Sequence, residues 1–253
     1  MKINLLRNSK EIGREAAELS AKIMNESIAL KGKARIVLST GASQFDTLEA
    51  LVQQKVDWGK VEMFHLDEYV NLPEHHPASF RKYLKERFID LIPSLHKAHL
   101  VSGEGDIEKN IAELTEEIRK EPIDLALIGI GENAHIAFND PPADFDTQES
   151  FIIVKLDEDC KKQQVNEGWF AAINDVPTQA ITMTVHQIMQ SKAIVSCVPY
   201  QAKAKAIKAF IENDATNLIP ATILKTHPDL TVFLDEQSSS EADPNLLKQL
   251  ANR

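Results

Sequence analysis

One short apolar run, residues 125–130, constrains the fold of this chain more than any other stretch of its sequence. A continuous apolar segment of this length is typical of a strand that is buried on both faces of a parallel sheet. The run ends in a Gly-Ile-Gly turn, after which titratable side chains alternate with apolar ones. Because open α/β sheets bind ligands beyond the carboxyl ends of their strands, this strand end is a candidate site. The alternative is a glycine turn followed by a solvated polar loop.

Further apolar runs alternate with helical patterns along the whole chain. Besides residues 125–130, the predicted strands are 3–6, 36–38, 61–66, 181–185, 193–198 and 231–234. Apolar residues at helical spacing predict helices between them, for example over residues 9–29. Strands that alternate with helices predict an α/β fold with one doubly wound, mostly parallel sheet flanked by helices, a Rossmann-like three-layer architecture. No linker or repeat interrupts the pattern, so residues 1–253 are predicted to form a single domain.

The segment after Pro142 has a different character from the rest of the chain. Residues 143–150 are acidic and loop-like, residues 151–156 resemble a strand, and residues 157–167 are polar and charged. We interpret residues 143–176 as a lid-like cover over the site. The alternative is a surface excursion without a functional role.

Composition excludes several classes of partner. The formal net charge of −10 argues against binding to nucleic acid or to an anionic membrane, although it permits a local basic pocket for an anionic metabolite. Cys160 and Cys197 are too few and too far apart for a disulfide framework or a metal knuckle, and the histidines lack metal-ligand spacing. No apolar stretch has the length of a membrane span or the form of a signal peptide, so a cytoplasmic protein is expected.

A second candidate site follows the strand at residues 36–38. Here the sequence Ser39-Thr40-Gly41-Ala42-Ser43 leads into a helical pattern. A strand, a small hydroxyl-bearing turn and a helix together offer backbone N–H groups to a phosphate. The Walker and dinucleotide patterns are absent, so the alternative is that Gly41 only permits the turn and Ser43 only caps the helix.

Two carboxylates, Asp67 and Glu68, follow the predicted strand at residues 61–66. Aspartate and glutamate are rarely buried as packing residues. They are therefore either solvated loop charges or groups that transfer a proton beside a ligand. A second strand that ends in titratable side chains strengthens the case for a site at this edge of the sheet.

The ordered motifs resemble those of the glucosamine-6-phosphate deaminase (isomerase) family, within a wider group that includes 6-phosphogluconolactonases. The motifs are LSTGAS at residues 38–43, FHLDEYVNL at 64–72, LIGIGENAHIAFNDP at 127–141 and THPDLTVFLDE at 226–236, with a strand–helix unit around Lys203. The resemblance covers almost the whole chain. LDEY together with HIAFN favours the deaminase branch, because lactonases typically carry arginine at the position of Tyr69.

The resemblance implies an aldose–ketose isomerisation with loss of ammonia from a 2-amino-2-deoxyhexose 6-phosphate. Asp67 matches the base that moves a proton between C2 and C1, and His135 matches the group that opens the sugar ring. The two side chains are therefore expected to face one common cavity. The reaction class requires no cofactor and no metal.

The resemblance also assigns the residues around these two groups. Asn133 and Asp140 match a pair of acids that orient and polarise the histidine ring. The phosphate is expected on the turn from Thr40 to Ser43, which includes Gly41 and Ala42, with positive charge supplied by Lys203. Glu68 is a further candidate for substrate contact.

Four departures from the family pattern suggest a divergent branch, with glucosamine 6-phosphate or an epimer as substrate. Asn133 replaces an acid, which would remove a negative charge beside the histidine, and Asp140 stands where glutamate is usual. Ala42 replaces a glycine of the phosphate turn, and Gly168 replaces a phosphate-binding arginine.

Without that guanidinium, Lys203 and either Arg81 or Lys205 are expected to bind more of the phosphate charge. Two alternatives to a deaminase remain at this stage. One is a sugar-phosphate lactonase, and the other is a non-catalytic sugar-phosphate sensor. In each case the expected partner is a small sugar phosphate, and assembly into a homo-oligomer is compatible with the sequence.

Overall fold

The computed structural model describes residues 1–251, which form ten strands and eight α-helices. The strands are β1 Lys2–Leu6, β2 Ala34–Leu38, β3 Val61–His65, β4 Asp67–Tyr69, β5 Lys97–His99, β6 Leu125–Ile128, β7 Phe151–Lys155, β8 Gln179–Met183, β9 Ala193–Val198 and β10 Leu230–Asp235. The helices are α1 Ser9–Lys31, α2 Phe45–Val52, α3 Phe80–Leu84, α4 Ile107–Arg119, α5 Glu158–Asn166, α6 Val185–Met189, α7 Ala204–Glu212 and α8 Pro244–Ala251.

Seven of the strands form one parallel sheet in the order β1-β10-β9-β6-β2-β3-β5. The chain moves outward from β2 through β3 to β5, then returns to β6 and moves the other way through β9 to β10. The predicted doubly wound, mostly parallel sheet is therefore confirmed. The winding reverses between β2 and β6, and this is the position where open α/β sheets bind ligands at the carboxyl ends of the strands.

The other three strands form a small antiparallel sheet in the order β4-β8-β7. Two sequence expectations are corrected here. The strand predicted over residues 61–66 ends at His65, and Asp67 begins a separate strand rather than a loop. The strand predicted over 181–185 lies in the small sheet, where Thr182 pairs with Asp67. Periodicity identifies a strand but not its neighbour, because pairing depends on residues that are distant in sequence.

The large sheet is apolar on both faces, as its continuous hydrophobic strands predict. In β6, Leu125 and Leu127 pack into one buried cluster, and Ala126 and Ile128 pack into another on the opposite face. This alternation follows from the two-residue period of a strand. A third cluster, which includes Tyr69, lies under the small sheet.

Helix α1 illustrates how local sequence signals set the element boundaries. The side chain of Asn8 accepts a hydrogen bond from the backbone N–H of Glu11 at 3.0 Å, which caps the first turn. Gly32 ends the helix in the left-handed conformation, with φ 84°. None of the helices within residues 1–251 is long and apolar enough to cross a membrane.

The segment at residues 143–176 contributes β7 to the small sheet and forms helix α5. The polar residues predicted only as a charged stretch are therefore helical, and their N-terminal turn is capped by Asp157, which accepts the N–H of Cys160 at 2.6 Å. The inner side of this segment covers a cavity at the carboxyl edge of the large sheet. We call residues 157–170 the cover segment.

Candidate active site

A cavity of about 200 Å³ opens at the carboxyl edge of the large sheet, where the winding reverses. The side chains and loops around it come from β2, β4, β6, the start of α7 and the cover segment. Its lining includes Ser39, Thr40, Gly41, Ala42, Ser43, Asp67, Gly129, Gly131, Glu132, His135, Gln163, Gln164, Glu167, Trp169, Tyr200 and Lys203. Asp67 and His135 therefore face one common cavity, as the sequence led us to expect.

Asp67 lies at the start of β4 and is only 6% exposed. Burial raises the pKa of this carboxyl group well above its usual value, and the neighbouring Glu68 raises it further. A buried carboxyl group with a raised pKa, placed beside a cavity, is suited to exchanging a proton with a bound molecule. Because successive residues of a strand point to opposite faces, Glu68 points away from Asp67.

Glu68 is fully buried and does not line the cavity. Its carboxylate accepts hydrogen bonds from the Ser79 hydroxyl at 2.8 Å and from the backbone N–H of Arg81 at 2.9 Å. Arg81 Nε also donates to it at 3.2 Å. The expectation that Glu68 contacts substrate is corrected accordingly, because this carboxylate caps the start of α3. Arg81 is occupied by the same interaction and does not line the cavity either.

His135 follows β6 in the Gly-rich loop, and its Nδ1 atom lies 3.0 Å from the carboxylate of Asp140. The ring packs directly on Gly131. A Cβ atom at position 131 would lie 2.3 Å from the Nε2 atom of the ring, so only glycine leaves room for the ring in this orientation. The Gly-Ile-Gly turn thus permits the close approach of the histidine to its own loop.

The carboxylate of Asp140 contacts the ring of His135, and Asn133 forms a hydrogen bond with Asp140. The amide of Asn133 donates to Asp140 at 3.0 Å, and its oxygen accepts the backbone N–H of His135 at 3.1 Å. Burial alone would raise the pKa of Asp140, but its contacts with His135 and Asn133 outweigh this effect and lower it. The charge partner of the ring is therefore residue 140, and asparagine at 133 does not remove it. Neither Asn133 nor Asp140 lines the cavity.

All five residues of the turn after β2 line the cavity. Gly41 has φ 102° and ψ 161°, a conformation that is open to glycine and costly for other residues. The hydroxyl of Tyr83 donates to the carbonyl oxygen of Gly41 at 2.9 Å and stabilises the turn. The turn is thus held open towards the cavity immediately before α2.

Lys203 is 6% exposed and brings a positive charge to the cavity from the start of α7. Burial lowers the pKa of its ammonium group, whereas Glu167 and Glu132 act in the opposite direction. Its Nζ atom lies 4.0 Å from the carboxylate of Glu167. Lys205, the alternative cation considered from the sequence, is exposed and does not line the cavity.

Sequence reasoning did not identify the cavity residues of the cover segment. Gln163 Nε2 donates to Glu167 at 2.7 Å, and Trp169 Nε1 donates to it at 3.0 Å, so this carboxylate is fixed in place. A usable signal exists in the sequence, because Cys160, Gln163 and Gln164 occupy i, i+3 and i+4 positions of a helix and are buried. Gln163 and Gln164 supply polar side chains from this inner face to the cavity, whereas Cys160 packs into the third apolar cluster.

Gly168, which stands where the related family carries an arginine, has φ 81°. Side chains are disfavoured in this left-handed conformation, so the backbone of the cover segment itself favours glycine over arginine here. No group of three or more His, Cys, Asp or Glu side chains within residues 1–251 is arranged to hold a metal ion.

Comparisons with known proteins agree with the fold and extend over nearly the whole chain. Residues 7–233 match the profile of the family described as glucosamine-6-phosphate isomerases/6-phosphogluconolactonase. The chain is 34% identical over 243 residues to a glucosamine-6-phosphate deaminase of Lactobacillus delbrueckii subsp. bulgaricus, covering 95% of this chain and 99% of that protein. It is 32% identical over 241 residues to a glucosamine-6-phosphate deaminase of Oenococcus oeni, covering 95% and 98%.

Solved structures share the fold of this chain. A monomeric glucosamine-6-phosphate deaminase superposes with a TM-score of 0.85 at 27% identity, covering 95% of this chain and 100% of that one. A putative 6-phosphogluconolactonase from Neisseria gonorrhoeae superposes with a TM-score of 0.75 at 16% identity, covering 93% and 100%. The second similarity extends to the fold alone.

Proposed function

We propose that this chain, which belongs to the glucosamine-6-phosphate isomerase/6-phosphogluconolactonase family, is an amino-sugar-phosphate deaminase. It converts a 2-amino-2-deoxyhexose 6-phosphate, glucosamine 6-phosphate or an epimer, to the ketose 6-phosphate and ammonia. The observation that carries this proposal is the meeting of Asp67, His135 and Lys203 at one cavity. Near-full-length relatives that carry the deaminase name, at 32–34% identity, support it.

In the proposed mechanism, His135 opens the sugar ring. Its imidazole takes the proton of the O1 hydroxyl and delivers a proton to O5, which breaks the C1–O5 bond and forms the open-chain aldehyde. An imidazole suits this exchange because its ordinary pKa lies near neutrality. The carboxylate of Asp140, 3.0 Å from Nδ1, keeps the ring oriented towards the cavity.

Asp67 then moves the proton that interconverts aldose and ketose. Its carboxylate removes the proton from C2 while a proton of the substrate's own ammonium group moves to O1, which gives an enolamine with a hydroxyl at C1. Its carboxyl group then returns the proton to C1, which leaves a protonated ketimine at C2. Water adds to C2, the C–N bond breaks, and the ketose phosphate and ammonia leave. The raised pKa of Asp67 supports this role, because a carboxyl group that holds its proton more firmly is a stronger base.

The phosphate of the substrate is proposed to bind at the turn from Thr40 to Ser43, with Lys203 as its cation. The turn lines the cavity with its small side chains and backbone, and Lys203 lies in the same cavity. The carboxylate of Glu167 lies 4.0 Å from Lys203 and would repel a phosphate bound there. We therefore propose that Glu167 separates from Lys203 when the substrate binds.

A panel of 2-amino-2-deoxyhexose 6-phosphates, assayed for released ammonia and for ketose phosphate, tests the function. At least one of them is expected to give both products in equal amounts, and Asp67→Asn is expected to reduce turnover by about 10²–10⁴-fold. Hydrolysis of 6-phosphogluconolactone without deamination would assign the chain to the lactonase alternative. Thermal stabilisation by these ligands without any turnover would identify a sensor.

A further inference from the structure

Tyr200 has a backbone conformation that tyrosine rarely adopts. Its φ of 80° and ψ of 147° lie in a region that is essentially restricted to glycine. Within residues 1–251 the other non-glycine residues with positive φ are Asn71, Ala134 and Ala137, which have small or turn-forming side chains. Strained residues of this kind persist only where the surrounding structure fixes them, and they concentrate at binding sites.

Asp235 fixes this conformation. Both oxygens of its carboxylate accept the backbone N–H of Tyr200, at 3.2 and 3.1 Å. Asp235 is 2% exposed and lies at the end of β10, and one of its carboxylate oxygens also accepts the N–H of Ser238 at 2.7 Å. The strain at Tyr200 is thus maintained from the core of the sheet.

The Tyr200 side chain does not offset this strain by burial, because the residue remains 36% exposed. It lines the cavity instead, next to Lys203. The carbonyl oxygen of Tyr200 accepts the N–H of Lys203 at 3.0 Å, so one turn orients both side chains.

Tyr200 also lines the same cavity as the turn after β2. Gly41 of this turn, like Tyr200, is one of the residues that line the cavity. Tyr83 in turn donates its hydroxyl to Gly41 at 2.9 Å. Gly41, Tyr200 and Lys203 therefore all line the cavity in which the phosphate is proposed to bind.

We infer that Tyr200 is a phosphate-binding residue whose hydroxyl donates to the phosphate held between the turn from Thr40 to Ser43 and Lys203. This inference rests on the proposed function and names one further determinant of its substrate class. The guanidinium that the related family places at position 168 is absent, and a phenol hydroxyl supplies a donor at the same cavity. A neutral donor also suits a site in which Glu167 already competes for the ammonium group of Lys203.

The test compares wild type with Tyr200→Phe, which keeps the ring and the backbone strain, and with Tyr200→Gly, which removes both. The readouts are KM and kcat with the hexosamine phosphate that wild type deaminates, and the Kd of inorganic phosphate by calorimetry. Tyr200→Phe is expected to raise KM and the phosphate Kd about tenfold, as for a lost hydrogen bond to a charged group, with kcat and Tm little changed. Tyr200→Gly is expected to bind phosphate no more tightly than Tyr200→Phe. Its Tm is expected to rise, because glycine relieves the backbone strain at this position.

Asn71→Gly is the matched control, because it relieves another positive φ at a residue outside the cavity. Its KM and phosphate Kd are expected to equal those of wild type. Unchanged KM and phosphate Kd in Tyr200→Phe, with deamination intact, would overturn the role of the Tyr200 hydroxyl and leave the proposed function standing. If wild type deaminates no hexosamine phosphate, the proposed function fails, and the Kd of inorganic phosphate becomes the only test of Tyr200. In that case the inference is overturned if Tyr200→Phe binds phosphate as tightly as wild type, or if wild type shows no measurable phosphate binding.

Discussion

At the scale of single residues, Asp67 and Glu68 show how two adjacent carboxylates acquire opposite environments. Glu68 is buried with full hydrogen bonding, and Arg81 balances its charge at 3.2 Å. Asp67 is buried beside the cavity, and burial raises the pKa of its carboxyl group. A buried carboxylate without a cation destabilises the folded state once it ionises. Ionisation of Asp67, the proposed base, is therefore expected to lower the free energy of unfolding.

This cost gives a prediction about Asp67→Asn. A pKa that is raised in the folded state means that folding binds protons between the unfolded value of about 3.9 and the folded value, so stability falls as pH rises through that window. Asparagine lacks this dependence. We expect Asp67→Asn to have a higher Tm than wild type at pH 8 and to lose this advantage near pH 4, in melting curves across that range. A Tm difference that stays constant with pH would contradict the prediction.

A second prediction concerns Gly131. A methyl group at this position would lie 2.3 Å from Nε2 of His135, so Gly131→Ala must displace the ring. Misplacement of a catalytic group by about 1 Å costs roughly 10²-fold in rate, and we expect a loss of kcat of that size.

Gly59→Ala is the control for Gly131→Ala, because its methyl group would meet its nearest neighbour at an ordinary 3.5 Å, outside the cavity. Steady-state kinetics of the two variants provide the comparison. Equal kcat values for Gly131→Ala and wild type would show that the histidine ring does not need its present orientation.

At the scale of elements, the cover segment adds two glutamines and one carboxylate to the lining of the cavity. Helix α5 presents Gln163 and Gln164 to the cavity, and hydrogen bonds from Gln163 and Trp169 fix Glu167 near Lys203. The sequence predicted a lid-like segment here, and in this structure it forms one wall of the cavity. Its movement on substrate binding remains a prediction.

Glu167→Gln tests the charge repulsion on which that prediction rests. Loss of the negative charge removes the repulsion between this side chain and a phosphate on Lys203, so the Kd of inorganic phosphate is expected to fall about tenfold, equivalent to about 1.4 kcal/mol. Isothermal titration at fixed ionic strength provides the measurement.

Glu158→Gln is the matched control for Glu167→Gln. It removes the same charge from the exposed side of α5, where Glu158 pairs with Lys161, and its phosphate Kd is expected to stay at the wild-type value. Weaker phosphate binding by Glu167→Gln would indicate instead that Glu167 holds Lys203 in its binding position.

At the scale of the whole molecule, three buried apolar clusters meet around two sheets. Two of them lie on opposite faces of the large sheet, and the third joins the small sheet to the cover segment through Tyr69 and Phe170. The cover segment thus packs on the same body that carries the large sheet. We propose that residues 1–253 fold as a single domain.

This proposal predicts one cooperative unfolding transition, with an enthalpy of about 180 kcal/mol near 60 °C for a chain of 253 residues. The two tryptophans, Trp58 in the core and Trp169 in the cover segment, permit a local test. Trp58→Phe and Trp169→Phe each leave one fluorescent reporter, and the two melting curves are expected to coincide. Earlier melting at Trp169 than at Trp58 would reveal a separately unfolding cover segment.

The sequence by itself determined six of the seven strands that build the large sheet, all except the three-residue edge strand β5. The continuous apolar run of β6, the capping residues Asn8 and Gly32 of α1 and the alternation of strands with helices are local patterns, so they led correctly to a doubly wound sheet. The same patterns indicated that Asp67 and Gly131, which follow β3 and β6, lie near one edge of the sheet, because the carboxyl ends of parallel strands share one edge.

Only the tertiary structure decided which of these side chains reach the cavity. It assigned β4 and β8 to a second sheet, turned Glu68 towards Arg81 and brought Glu167 and Tyr200 to the cavity near Lys203. Each of these outcomes depends on contacts between residues that are far apart in sequence, and local periodicity carries no information about them. The sequence therefore identified the candidate site side chains, whereas packing in the folded structure determined which residues each of them contacts.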